Sequence, residues 1–209
     1  MYVRISRLQF PVNRVEDAIR SFQDTTLPAV KALPGFSGVA LQVNRQDGQV
    51  GAATFWDSRT AMSDADEAGV RLRQQAASGS GGSVVGVERY EIVLMERAAQ
   101  PQPNVFSRGT TGTAVSDRLD AMIEAMRTDA TPAVRQLAGF RALVMGVDRE
   151  SGRFFINSIW DSATDREASD APIQELRNRI FTPAGVSGLE VFLSEVALVE
   201  FTPAALATR

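Results

Sequence analysis

The feature that most constrains the fold of this chain is an internal repeat with a fixed offset of 104 residues. The segment Pro28–Phe36 (PAVKALPGF) returns as Pro132–Phe140 (PAVRQLAGF), and Trp56–Ser58 returns as Trp160–Ser162. From residue 27 to residue 58, twelve of 32 positions are identical at this one offset. The period far exceeds the roughly 20 to 50 residues of solenoid repeats. It therefore indicates a duplicated domain and not an array.

The repeat divides the 209 residues into two halves, each long enough to fold. We predict a first repeat at residues 1–98 and a second at residues 105–209. Between them, residues 99–104 form a short polar linker that carries two prolines, which is typical of a domain boundary.

Each half has the order β-α-β-β-α-β, which is the ferredoxin-like unit. In the first half, Tyr2–Phe10 alternates as a strand, Gln46-Asp47-Gly48 marks the turn of a hairpin, and Val84–Glu96 alternates as a long last strand. The second half repeats this order. Its first strand, Asn104–Gly112, is poor in apolar residues and interrupted by glycines, so we predict a frayed or edge strand there.

The hairpin strands of both halves are apolar at nearly every position, which indicates burial on both faces of the sheet. One sheet face in each half is covered by that half's own helices, and the other needs a second apolar layer. We therefore predict an α+β fold in which two ferredoxin-like repeats pack sheet to sheet as an internal pseudo-dimeric α+β barrel.

The composition excludes several kinds of site. The chain has no cysteine and no histidine, which removes thiolate metal sites, a Cys nucleophile, histidine general bases and axial His ligation of haem, and no metal spacing is visible. The net charge of −3, with scattered arginines, gives no basic stripe for nucleic acid. No apolar run approaches the ~18 residues of a membrane span, and the charged N-terminus is unlike a signal peptide. We expect a cytoplasmic protein with neither nucleic-acid nor membrane partners.

Four short motifs resemble the dimeric α+β barrel proteins that include the antibiotic-biosynthesis monooxygenase domain, here in tandem. They are Leu33–Phe36 and Phe55–Ser58 in the first half, and Leu137–Phe140 and Ile159–Ser162 in the second. The resemblance covers essentially the whole chain, twice. Members of this family are cofactor-free oxygenases of polyketide quinols, haem-degrading oxygenases and many proteins of unassigned function. The axial histidine of the haem-degrading branch has no counterpart here, so the resemblance implies chemistry without a cofactor.

The resemblance directs attention to the two tryptophans, since in active members the equivalent Trp lines the cavity between sheet and helices. We predict Trp160 and Asn157 as catalytic, because an indole N–H and an amide in a dry cavity would suit a phenol anion and dioxygen. The structural alternative is that Trp160 is a hydrophobic wedge whose N–H needs one partner, and that Asn157 is satisfied within the fold.

Trp56, Tyr90 and Ser158 are predicted to bind substrate, with interfacial packing as the alternative for Tyr90. Arg4 and Arg108 are equivalent across the repeat. Either of them could meet an anionic ligand, and salt bridges to nearby carboxylates are the commoner role of such arginines.

The sequence therefore favours a cofactor-independent monooxygenase acting on a small aromatic or quinol substrate, with its site in the second half. The alternative is a non-catalytic small-ligand-binding or assembly protein that retains the barrel. For partners we expect a small aromatic ligand, and for assembly either a monomeric barrel or a homodimer of barrels.

Overall fold

The computed structural model describes residues 1–207 as an α+β fold. Its strands are β1 (Tyr2–Gln9), β2 (Phe36–Asn44), β3 (Gln49–Trp56), β4 (Ser83–Arg97), β5 (Val105–Thr113), β6 (Phe140–Val147), β7 (Arg153–Trp160) and β8 (Ser187–Phe201). Its helices are α1 (Val15–Ser21), α2 (Leu27–Lys31), α3 (Arg59–Asp64), α4 (Asp66–Gly79), α5 (Leu119–Ala125), α6 (Thr131–Val134), α7 (Ala163–Ala168), α8 (Asp170–Phe181) and α9 (Pro203–Ala207).

The hydrogen-bonded order of the strands is β1-β3-β2-β8-β5-β7-β6-β4, and this order closes on itself as a barrel. The hairpin pairs β2·β3 and β6·β7 are antiparallel, as are β1·β3 and β5·β7. The predicted fold class is confirmed: ferredoxin-like β-α-β-β-α-β repeats supply an antiparallel α+β barrel.

The chain divides into two compact units, which differ from the two sequence repeats in where the long strands belong. In unit 1 the last part of β8 pairs with β2, from Gly38 opposite Phe201 to Val43 opposite Glu195. In unit 2 the last part of β4 pairs with β6. The sheet of each unit is thus completed by the end of the other repeat's last strand. Unit 1 comprises Met1–Arg89, Gln102–Asn104 and the segment from Ser194 onward, and unit 2 comprises Tyr90–Pro101 and Val105–Leu193.

A π-helical turn joins the two helices that follow the first strand of each repeat. It covers Phe22–Thr26 in unit 1 and Met126–Ala130 in unit 2. Pro28 and Pro132 lie two residues after these turns, at the start of α2 and α6. Proline cannot donate the hydrogen bond of an ordinary helical turn, and the wider turn lets the chain continue past it.

Strand β5 is not the frayed or edge strand that its glycines suggested. It lies between β8 and β7, and most of its alternate residues are buried. A Cβ on Gly112 would stand 3.0 Å from the ring of Phe154, so the glycine gives the aromatic side chain its space. The prediction was wrong because it counted glycine as a loss of packing without asking which neighbour fills the vacated volume.

The serines that follow the two tryptophans begin the next helices. The side-chain oxygen of Ser58 accepts a hydrogen bond from the backbone N–H of Ala61, and that of Ser162 accepts one from Asp165. We expect Ser58→Ala to lower the free energy of unfolding by about 1 kcal/mol, because the first turn of α3 then has an unpaired N–H. Urea denaturation measures this, and Ser63→Ala within the same helix is the control, expected to change stability by less than about 0.5 kcal/mol.

No helix within residues 1–207 combines the length and the apolar character needed to cross a bilayer.

Candidate functional site

Unit 1 has a cavity of about 50 Å³ between its sheet and its helices. Leu8, Leu41 and Val50 line its floor from three neighbouring strands, and Phe22 and Leu72 close it from the helices. Most of the lining is apolar. The polar groups gather at one side, where Arg4, Ser6, Thr54 and Arg73 contribute to the wall.

Unit 2 has a cavity of the same size in the equivalent place, also about 50 Å³. Its polar lining residues are Arg108, Thr110, Ser158 and Arg177. Each of these stands 104 positions after a polar lining residue of unit 1, so the repeat has kept a cationic end on both cavities. Apolar side chains such as Met126 and Leu143 form most of the remaining wall.

Arg4 and Arg108 are the buried cations of the two cavities, with side chains only 3% exposed. Arg4 donates to the backbone carbonyl of Met62 and to the Oδ1 of Asp66, the latter at 2.6 Å. Arg108 likewise donates to a carboxylate, that of Asp170. The salt bridges considered from the sequence are therefore present in both repeats.

Burial lowers the pKa of Arg4 and Arg108 from the ordinary value, since desolvation disfavours the charged form. The opposite charge of the paired aspartate acts against this effect in each unit. Asp66 also contacts Arg89, at 2.8 Å. Burial alone would raise the pKa of Asp66, but its hydrogen bonds and the two arginine charges outweigh burial and hold that pKa below its usual value.

The tryptophans predicted from the sequence are fully buried, with 0% of either residue exposed. The indole N–H of Trp160 donates to the hydroxyl of Ser158 at 3.0 Å, and that of Trp56 donates to Thr54 at 3.2 Å. Each ring packs edge-on against a phenylalanine, Phe140 or Phe36. Each indole donor is thus satisfied by a hydroxyl two residues earlier on its own strand.

The structure brings Ser158 and Trp160 together but separates both from Asn157. Ser158 and Trp160 share the helix-facing side of β7, and Asn157 points to the opposite side, because neighbouring residues of a strand alternate. The Oδ1 of Asn157 is buried and has no hydrogen-bond partner within residues 1–207. Tyr90 is buried beside Phe155, 5.0 Å between ring centroids, and lines neither of the two cavities.

Sequence reasoning missed Arg73 and Arg177, which line the two cavities from α4 and α8. The available signal was their exact correspondence at the offset of 104 residues in helices that otherwise share little. It also missed Gly69, a glycine in the interior of α4 that lies against two of the unit 1 arginines. A helix-interior glycine is a signal in itself, since it costs about 1 kcal/mol relative to alanine.

Within residues 1–207, no group of three or more carboxylate, histidine or cysteine side chains is placed to hold a metal ion.

No protein-family model matches the sequence. The uncharacterized protein Rv2557 of Mycobacterium tuberculosis strain H37Rv is 28% identical over 198 residues, which cover 95% of this chain and 88% of that protein. The uncharacterized protein Rv2558 of the same strain is 29% identical over 199 residues, covering 95% and 84% respectively.

Solved structures establish the fold independently of sequence. An anthrone oxidase-like protein superposes with a TM-score of 0.71 at 16% identity and covers 100% of this chain and 96% of its own. A monooxygenase-like protein from Listeria innocua superposes with a TM-score of 0.54 at 11% identity, and the match covers 96% of this chain and 95% of that protein. A ferredoxin-fold protein of Listeria monocytogenes, related to antibiotic biosynthesis monooxygenases, superposes with a TM-score of 0.55 at 10% identity. The match covers 94% of this chain and 95% of that protein. The chain has the fold of these monooxygenase-like α+β barrels.

Proposed function

We propose that this protein binds a small aromatic compound in the cavity between sheet and helices, and that oxygenation of a quinol without a cofactor is the reaction this binding serves. The observation that supports the proposal most is the matched pair of cavities. Each has an apolar body and a cationic end, and the arginines Arg4 and Arg73 recur as Arg108 and Arg177. A concave apolar site with a few convergent polar groups is the usual form of a small-molecule site.

The cavities are too small to enclose a ligand of several rings, and even a single ring exceeds their volume. An engineered protein cavity of about 150 Å³ holds benzene, and each cavity here is about 50 Å³. A single ring therefore fits only partly inside the cavity unless the lining side chains move. A substrate with several fused rings would require the walls to move apart.

Oxygenation of such a ligand needs no bound metal when the substrate itself supplies the electrons. A hydroquinone and dioxygen give hydroxybenzoquinone and water: one oxygen atom enters the ring as a hydroxyl, and the other leaves as water. The four electrons that reduce dioxygen come from the quinol. The contribution of the arginines is to favour the quinol anion, which is the more easily oxidised form, within a largely apolar site.

A non-catalytic small-ligand-binding protein is the second candidate, and the placement of the tryptophans favours it. Both indole N–H groups are bonded within their own strands, and Asn157 faces away from the cavity. Neither tryptophan therefore offers a free donor to a substrate. If the protein only binds its ligand, the small aromatic compound still occupies the cavities, but dioxygen is not consumed.

Oxygen uptake with hydroquinone, combined with mass analysis of the product formed under ¹⁸O₂, separates the two candidates. The oxygenase predicts uptake above the rate in buffer and one labelled atom in the product. Uptake at the buffer rate, while hydroquinone still binds under argon, would leave only the binding function.

Filling the unit 1 cavity tests whether the ligand enters it. Ala76 lines the cavity on α4, and its equivalent in unit 2 is Ile180, so the fold already accommodates isoleucine at this position. We expect Ala76→Ile to weaken hydroquinone binding in unit 1 at least about 10-fold, since ring and side chain compete for one volume. Ligand-induced NMR shifts measure this. Ala68→Ile, on the same helix but away from the cavity, is the control, and equal binding by both variants would place the ligand elsewhere.

A further inference from the structure

Two guanidinium groups bind a single carboxylate at the polar side of the unit 1 cavity, and a third guanidinium group lies near them. Asp66 accepts from Arg4 at 2.6 Å and from Arg89 at 2.8 Å. The charge of Arg73 lowers the pKa of Arg4, and the charge of Asp66 acts on Arg73, although Arg73 forms no salt bridge within residues 1–207. One negative charge thus faces three positive charges. The cluster has an unbalanced positive charge next to an apolar cavity.

Arg4 and Arg73 converge on the backbone of Gly69. A Cβ built on this glycine would stand 2.8 Å from the Nη1 of Arg4 and 2.8 Å from the Nη1 of Arg73. The two Nη1 atoms are therefore within about twice that distance of each other, a separation that the oxygens of one carboxylate can bridge. The Nε of Arg4 is buried and has no hydrogen-bond partner in the described part of the chain. A buried cation with unused donors is costly unless an anion reaches it.

The equivalent place in unit 2 is closed by side chains. Ile173 stands where unit 1 has Gly69, and it lines the unit 2 cavity. The Nη1 of Arg108 donates to the hydroxyl of Ser169 at 2.7 Å, whereas unit 1 has Ala65 at that position. The unit 2 arginine is thus satisfied by the protein, and the unit 1 arginine is not.

We propose that unit 1 binds a small aromatic carboxylate, its carboxylate held between Arg4 and Arg73 over Gly69 and its ring directed to Phe22 and Leu72. Two planar guanidinium groups suit the two oxygens of a carboxylate better than point charges would. Unit 2 lacks this anion site. The inference rests on the proposed function for the occupancy of the cavity and adds the charge of the ligand and the unit that holds it.

Gly69 makes α4 less stable than an alanine would, which fits a residue kept to leave room for the ligand carboxylate. Glycine in a helix interior costs about 1 kcal/mol relative to alanine, and alanine here would contact both guanidinium groups. Gly69→Ala is therefore expected to leave stability unchanged or slightly higher, because the flexible ends of both arginines can move. Binding of the carboxylate is expected to weaken at least about 10-fold, a loss of roughly one charge-assisted hydrogen bond. A purely structural glycine would show the reverse pattern.

Calorimetric titration with benzoate and with its neutral analogue benzamide provides the main test. We expect the wild-type protein to prefer benzoate at least about 10-fold, and Arg73→Gln to weaken benzoate binding about 10- to 100-fold. Arg177→Gln, the same substitution at the equivalent position of unit 2, is the matched control and is expected to change affinity by less than about twofold, because Ile173 closes that site.

The outcomes separate the anion site from the proposed function. Equal affinity of wild-type protein and Arg73→Gln for benzoate would overturn the anion site, as would an equal loss in Arg177→Gln. If hydroquinone binds and benzoate shows no preference over benzamide, the cavity function stands and the anion site is wrong. If no ring compound binds, charged or neutral, the proposed function itself fails.

Discussion

Replacing Trp160 by alanine is expected to lower the free energy of unfolding by about 3 to 5 kcal/mol. The residue is 0% exposed and packs edge-on against Phe140 in the core of unit 2. Its removal leaves a large cavity and takes from the Ser158 hydroxyl the indole N–H that it accepts in the native protein. Trp56→Ala should cost a similar amount in unit 1. Urea denaturation followed by circular dichroism measures both changes.

Leu193→Ala is the control for the tryptophan variants, because Leu193 is 44% exposed and its truncation should alter stability by less than about 0.5 kcal/mol. A cost below about 1.5 kcal/mol for Trp160→Ala would contradict the structural role. Trp160→Phe keeps most of the buried volume. If Trp160→Phe abolished quinol oxidation at unchanged stability, the indole would have the catalytic role that the sequence suggested.

Alanine at either hairpin-end glycine is expected to destabilise the protein by roughly 3 kcal/mol. Gly48 has φ +79°, and a Cβ there would stand closer than 3.0 Å to the backbone carbonyl oxygen of Phe10. Gly152 has φ +73° and the same conflict with the carbonyl oxygen of Ala114. Backbone strain and a rigid backbone clash add at each site, and neither is relieved by a rotamer change.

Gly51→Ala is the control within the same hairpin, because a Cβ on Gly51 meets nothing within 4 Å. That variant is expected to be neutral or more stable by up to about 1 kcal/mol, through a lower entropy of the unfolded chain. Thermal and urea unfolding of Gly48→Ala, Gly152→Ala and Gly51→Ala checks this order of stability. Equal stability of Gly48→Ala and Gly51→Ala would mean that the turn can adopt another backbone conformation.

The repeat predicted the fold because the positions that it retains include the hairpin turn and the apolar strands, which most constrain a sheet. The hairpin turn predicted at Gln46-Asp47-Gly48 lies between β2 and β3, where the sequence placed it. Apolar residues on both faces of the strands predicted a barrel. The burial of strand β5 was underestimated, since Gly112 makes room for the ring of Phe154, whose position is set by tertiary packing.

The candidate site was less predictable, and the reason is strand geometry. Asn157 and Trp160 are three residues apart on a strand, which places them on opposite faces. The tryptophan then pairs with Ser158 on its own face. The sequence could not show that Arg73 lies next to Arg4, because only the packing of α4 on the sheet brings the two side chains together over Gly69. Distances across a sheet-helix layer do not follow from either element alone.

The pairing of β8 with β2 determines when unit 1 can be finished during synthesis. The last part of β8, which pairs with Gly38–Val43, is translated about 150 residues after them. At a translation rate of roughly 5 to 20 residues per second, β2 is synthesised on the order of 10 seconds or more before its partner strand. During that interval it is an apolar strand with an unpaired edge, the kind of surface on which neighbouring nascent chains associate. The duplicated chain therefore gains a permanently linked partner strand at the cost of a long exposure on the ribosome.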